Sequence, residues 1–306
     1  MISENIQKIN DDIRRSAAKS GRNYQHITIL AASKTRNADE IIKACESGIT
    51  VFGENYVQEF LGKYDYFKSI AQINHTDCGN GNTGNNSGSS IMRSDAGGRG
   101  LNFIKKAEYT GNIVNNNNLD KKSSNNIAGS NNIPSACIFK NLKWHLIGKL
   151  QKNKVKYIAK KVSMIHSVDS FELAKLIDKF SADDNFSGNK IKILIEINIA
   201  DESTKSGIKL DDAKELIYNL NSLNNIELKG FMTMPPYAEN PEQNRIYFKA
   251  LKDFIDFANQ KNMYKNELTE LSMGTSNDFA AAIEEGATIV RLGTIIFGER
   301  IYANRQ

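Results

Sequence analysis

Ile27-Thr28-Ile29-Leu30-Ala31-Ala32-Ser33-Lys34 is a short run of apolar and β-branched residues that stops on a serine and a lysine. It reads as a buried first strand. In an open doubly wound sheet, a strand of this kind should run into a G-x-G-x-x-G phosphate turn. No such glycine pattern follows Ala32, and the polar residues stand directly at the strand end. That placement favours a closed barrel, where chemistry collects at the C-terminal ends of the strands.

Working outward, seven further apolar runs fit strands, at 50–52, 143–147, 164–168, 191–199, 228–232, 270–273 and 289–292. Between them fall helical patterns at 38–48, 152–161, 170–180, 211–220, 242–261 and 278–285. Strands alternating with helices imply parallel pairing through crossover helices. The expected fold is α/β: a single (β/α)8 barrel of the TIM type, spanning residues 1–306 as one domain. One region departs from the pattern. From about 74 to 135 the chain turns to Asn, Gly and Ser, with Asn115 to Asn118 as an unbroken run. Such a stretch has too little apolar surface to offset its ordering entropy, and a disordered insertion between strands two and three is expected. Without it roughly 240 residues remain, near the ~250 of a (β/α)8 barrel.

Charge and cysteine usage narrow the function. Forty basic and 35 acidic groups give a net charge of +5, with the basic residues dispersed. That argues against nucleic acid as a partner. The three cysteines (Cys45, Cys78 and Cys137) are far apart, with no C-x-x-C pair and no histidine at ligand spacing. Neither a disulfide framework nor a metal site is expected, and reduced thiols fit a cytoplasmic protein. Residues 1–15 carry Glu4, Asp11 and Asp12 and no apolar core, unlike a signal peptide. No stretch nears the ~20 apolar residues of a membrane helix, so no membrane is expected as a partner.

The polar residues at the strand ends form a pattern. Lys34 follows strand one, Asn55 strand two, and His145 lies on strand three. Ser272, Gly274 and Ser276 are placed after strand seven, and Arg291, Gly293 and Thr294 after strand eight. A poorly solvated lysine at a barrel mouth has a lowered pKa and a neutral amine ready as nucleophile. Position alone also fits an ordinary exposed lysine. The loops after strands seven and eight, however, are where barrels commonly hold phosphate, and glycines and hydroxyls supply the donors. Strand one neighbours strand eight in a closed barrel, so amine and phosphate cradle share one mouth. An aldehyde-bearing phosphate suits both, which means pyridoxal 5′-phosphate (PLP). Facing the pyridine nitrogen, Arg291 would leave it unprotonated and weaken the ring as an electron sink. Alternatively Arg291 pairs with Glu284 or Glu285. His145, between Trp144 and Leu146, reads as a packed, hydrogen-bonded histidine, while His26, His75 and His166 show no partner pattern.

Several segments resemble the hallmarks of a known family. They are Ala32-Ser33-Lys34-Thr35, Phe52-Gly53-Glu54-Asn55-Tyr56-Val57-Gln58-Glu59, residues 144–154, Ser203-Thr204-Lys205-Ser206-Gly207, Gly230-Phe231-Met232-Thr233-Met234, residues 271–278, and residues 290–298. In order and over about 27–300, they are similar to the pyridoxal phosphate homeostasis proteins, single-domain relatives of the alanine racemase barrel. The resemblance implies that Lys34 holds PLP as a Schiff base and that Asn55 lines the ring. It implies further that Ser276, Gly293 and Thr294 hold the phosphate, with Arg291 near the pyridine nitrogen. It also implies a PLP carrier or buffer in intracellular PLP homeostasis without an established reaction; apo PLP-dependent enzymes are the expected recipients, and a monomer is expected. Thr275 stands where the family often has Met and Ala32 where Val is common, and the insertion is atypical. The alternative is a PLP-dependent racemase, which needs a base on each face of its substrate. The racemases take one base from an added β-domain and a partner subunit, and too few residues follow strand eight here for that domain.

Overall fold

β1 (Thr28–Ala32) is paired in parallel on both edges, with β2 (Val51–Glu54) on one side and β8 (Ile289–Leu292) on the other. That double pairing closes the sheet. β3 (Lys143–Leu146), β4 (Met164–Val168), β5 (Ile191–Ile197), β6 (Ile226–Thr233) and β7 (Glu270–Thr275) follow in chain order, all parallel. The expected (β/α)8 barrel is therefore the fold. The computed structural model describes residues 1–73, 139, 141–182, 190–202 and 205–299. The insertion expected at about 74–135 lies outside them, as do His75, Cys78, Cys137, Ser203 and Thr204.

Alternation along the strands makes two cores. Residues such as Ala31, Phe52, Trp144, Ile165, Ile193, Leu271 and Val290 face outward and pack under the helices. Leu30, Val51, Met164, Leu194, Met232 and Ile289 face the bore and plug it. Buried polar residues interrupt that inner layer: His145, His166, Ser272 and Arg291.

The helical layer comprises α1 (Ile2–Lys19), α2 (Ala38–Glu46), α3 (Val57–Ile73), α4 (Val155–Ile158), α5 (Phe171–Ser181), α6 (Leu210–Leu220), α7 (Arg245–Gln260), α8 (Phe279–Glu284) and α9 (Thr294–Phe297). Four differ from the sequence expectation, which named no helix at α1, α3 or α9 and a longer one at α4. α1 was not foreseen, although Ile6, Ile9, Ile13 and Ala17 recur at helical spacing and are all buried. The helix after β8 is a single short turn, and α1 packs against α8, α9 and α2 to complete the layer there. The basic helix expected at 152–161 is instead a 3-10 turn, Lys152–Lys154, followed by the four-residue α4. Lys152, Lys156 and Lys160 would stand at successive i, i+4 positions of a longer helix, where like charges repel.

Candidate cofactor site at the C-terminal mouth

Ser33, Lys34 and Thr35 form a tight turn off the end of β1, with Thr35 at φ 65°. Lys34 itself is half-buried. The turn is braced from below by a buried lysine that the sequence reading missed. Lys63 of α3 is fully buried and its ammonium donates to the Ser33 carbonyl at 2.6 Å. It also reaches Glu54 Oε1 and Glu59 Oε1, both at 2.7 Å. Three acceptors thus meet the three N–H groups of an ammonium. The Ser33 hydroxyl donates to Glu54 Oε1 at 2.6 Å, and the Thr35 N–H donates to Glu59. Burial pushes the Glu54 carboxyl up, with the Lys63 charge opposing. The i, i+4 spacing of Glu59 and Lys63 was the one signal of this brace in the sequence.

Asn55 sits just past β2, half-buried, in close contact with the chain after β3. A Cβ on Gly148 would lie 2.3 Å from the Asn55 carbonyl oxygen, so only glycine fits there.

The ends of β7 and β8 converge. Ser276 Oγ accepts from the Gly293 N–H at 3.3 Å and from the Ile295 N–H at 3.4 Å. Gly293 adjoins β1: a Cβ built on it would lie 3.6 Å from Ala32 Cβ. The hydrogen-bonded cluster of Ser276, Gly293 and Ile295 therefore borders β1, the strand that leads to Lys34. Thr294 is exposed beside it. Asp278 fixes the β7 loop by accepting from the Thr275 N–H at 2.7 Å, while Asn244 Nδ2 donates to its other oxygen at 2.8 Å. Gly274 has φ +88°, and a Cβ there would lie 2.6 Å from that of Ala282. Its glycine is thus explained by close packing of β7 on α8.

Ser272 and Arg291 lie inside their strands, one layer below the position expected from sequence. Arg291 Nη1 donates to the Ser272 carbonyl at 2.6 Å and hydroxyl at 2.9 Å, and Nη2 to the Thr233 carbonyl at 2.8 Å. Burial lowers the guanidinium to about 10, with Asp278 and Glu196 opposing, so it remains charged at neutral pH. Glu284 and Glu285 are taken by Arg245, at 2.5 and 3.1 Å, which removes the alternative partner for Arg291. The chain of contacts continues: His166 Nδ1 lies 2.9 Å from Ser272 Oγ, and His166 Nε2 lies 3.0 Å from His145 Nδ1. Burial lowers His145 to about 3 and His166 well below its usual range, so both are neutral imidazoles. His145 is the packed, hydrogen-bonded residue expected. His166 does have partners, contrary to expectation; its inward position on β4, beside inward His145 on β3, carried that information.

The comparisons with known proteins agree with this architecture. The model described as alanine racemase, N-terminal domain, matches residues 5–301. The chain is 34% identical over 300 residues to the pyridoxal phosphate homeostasis protein of Aquifex aeolicus, covering 98% of each chain. It is 30% identical over 305 residues to the protein of the same name from Escherichia coli strain K12, covering 99% of each. A solved structure of PipY from Synechococcus elongatus PCC7942 with PLP bound superposes with a TM-score of 0.62 at 23% identity, over 97% of this chain and 100% of that one. The chain belongs to the alanine racemase N-terminal domain family and, within it, to the pyridoxal phosphate homeostasis proteins. Among the described residues no helix is long and apolar enough to cross a membrane.

Proposed function

We propose that this chain binds PLP at the C-terminal mouth of its barrel and works in intracellular PLP homeostasis, holding and releasing the cofactor. The observation that carries the reading is the cluster of the Ser276 hydroxyl with the Gly293 and Ile295 N–H groups, bordering the strand that leads to Lys34. A phosphate needs converging donors, and a glycine lets the backbone approach it closely. The names of the relatives at 30% and 34% identity, and the PLP bound in PipY, support the same ligand.

In this reading Lys34 supplies the amine that condenses with the PLP aldehyde, releasing water. Ser276, Gly293 and Thr294 hold the phosphate, Asn55 lines the ring, and Arg291 stands toward the pyridine nitrogen. Ser272 and Gly274 act from behind, Ser272 by holding Arg291 and Gly274 by letting the β7 loop close on α8. PLP supplies an aldehyde and an electron-withdrawing ring; an arginine opposite the nitrogen keeps that ring a weak electron sink. This favours holding the cofactor over strong carbanion chemistry. The relatives are likewise named for homeostasis rather than for a reaction. The protein acts as a single-domain monomer in the cytoplasm, with apo PLP-dependent enzymes as recipients.

The test is transfer. Protein loaded with PLP, freed of excess ligand and mixed with an apo PLP-dependent enzyme should restore that enzyme's activity while losing its own visible band. Retention of all PLP by this chain, with no recovery of activity, would contradict the carrier role.

A further inference from the structure

A cavity of about 790 Å³ opens at the opposite, N-terminal end of the barrel, and the cofactor reading leaves it without a role. Its inner surface is formed by Val51, Met164 and Ile289 of the bore and by the edge of His145. Five lysines and two glutamates line it. Two of those lysines stand out. Lys143 opens β3 on the same face as His145, and Lys192 lies on β5 between outward-facing Ile191 and Ile193. Both therefore project to the bore side, and both are exposed.

Neither Lys143, Lys192 nor nearby Lys190 forms an ion pair with a described residue. Glu227 is opposite Lys192 in register, but its carboxylate pairs with Lys229 at 3.5 Å. Glu270 accepts from the Thr288 hydroxyl at 2.7 Å. Lys160 and Lys161 follow the end of α4, where cations offset the helix dipole in any case. Lys143 and Lys192 sit on strands and meet no such need. A second, independent feature lies in the same wall. Ser181 belongs to that wall, and its hydroxyl is buried with no hydrogen-bond partner among the described residues. Buried hydroxyls ordinarily find one.

We propose that this mouth is a second ligand site, one that takes a small organic phosphate. Lysine ammonium groups are established phosphate binders as point charges, and the volume falls in the ~300–1,000 Å³ range of small-molecule sites. Lys143, Lys190 and Lys192 receive the anion, the Ser181 hydroxyl donates to a polar atom of the ligand, and Val51, Met164 and Ile289 meet its apolar body.

The test uses the full chain loaded with PLP, so that the C-terminal mouth is filled, titrated with AMP, glycerol 3-phosphate and pyrophosphate, with adenosine as the uncharged control. Calorimetry measures affinity, and the ring signals of isotopically labelled His145 report location. AMP or glycerol 3-phosphate should bind and shift His145; binding of pyrophosphate alone would contradict a site for an organic phosphate. Lys143→Ala with Lys192→Ala should weaken binding of the organic phosphate at least ten-fold, and Ser181→Ala several-fold, with PLP content unchanged. No binding of any of the three at millimolar concentration would overturn the proposal, as would unchanged affinity in the double variant or equal binding of adenosine. Both lysines are exposed, so their removal leaves the fold intact. Should Lys34 prove to carry no PLP, the His145 signals still report this mouth, and the two readings fail separately.

Discussion

Arg291 and Ser272 are joined twice, by Nη1 to the serine carbonyl at 2.6 Å and to its hydroxyl at 2.9 Å. An arginine only donates, so the Ser272 hydroxyl accepts from it and keeps its own proton for His166 Nδ1. One consistent direction then runs from Arg291 through Ser272 and His166 to His145, tying β8, β7, β4 and β3 together inside the bore.

Arg291→Gln should shorten that reach and leave the Thr233 carbonyl without its donor. A buried group stripped of a charged partner costs roughly 2–4 kcal/mol. Chemical denaturation should show that loss, and the visible spectrum of the bound cofactor should shift as the ring environment changes. A variant with wild-type stability and spectrum would show that Arg291 faces neither. Arg291→Glu is a poor probe, because it would bury a carboxylate against two carbonyl oxygens.

Lys63→Met should be worse than the loss of one surface ion pair, because Lys63 and Glu54 are both fully buried. Removing one partner of such a pair typically costs about 3–5 kcal/mol. Adding Glu54→Gln should recover part of that stability. PLP binding should fall in the single variant, because the Ser33–Thr35 turn loses its brace. The expected observation is a lowered midpoint in urea together with a weaker PLP titration.

The two buried histidines make a pH prediction with a definite sign. His145 is lowered from 6.5 to about 3 in the folded state, so between those values the unfolded chain binds the extra proton. Stability is fully present above about pH 6.5 and falls as pH drops toward 3, by up to ~1.4 kcal/mol per pH unit for each histidine. Denaturation measured from pH 7 to 4 should show the decline, and His145→Gln should make it shallower. An identical slope in the variant would count against a neutral buried His145.

Gly274→Ala should destabilise without touching the ligand. It places a Cβ at φ +88° and 2.6 Å from that of Ala282. Backbone strain and overpacking together amount to roughly 2–4 kcal/mol. A melting temperature unchanged from wild type would show that β7 can shift away from α8.

Much of the barrel was legible because every strand is buried on both faces and reads as an apolar run with polar residues at its end. Lys34, Asn55, Ser276 and Gly293 were locatable from that rule alone, since each stands just past a strand. Ser272 and Arg291 were placed past their strands although the apolar runs 270–273 and 289–292 already contain them; β7 spans Glu270–Thr275 and β8 Ile289–Leu292, and both side chains lie inside. α1 carries a clear helical period, yet nothing local says that this helix must complete the outer layer beside α8, α9 and α2. The links from Lys63 to Ser33 and from His166 to Ser272 span 30 and 106 residues. Contacts across distant strands follow from closure of the sheet, and a single sequence shows them only after the order and register of the strands are known.

The most direct measurement is borohydride reduction of the PLP-loaded protein, followed by mass spectrometry of its peptides, on wild type and Lys34→Ala. The expected result is a stable pyridoxyl adduct on Lys34 alone, loss of the visible band on reduction, and neither band nor adduct in the variant. An adduct on another lysine, or an unchanged visible band in Lys34→Ala, would contradict the placement of the cofactor on Lys34.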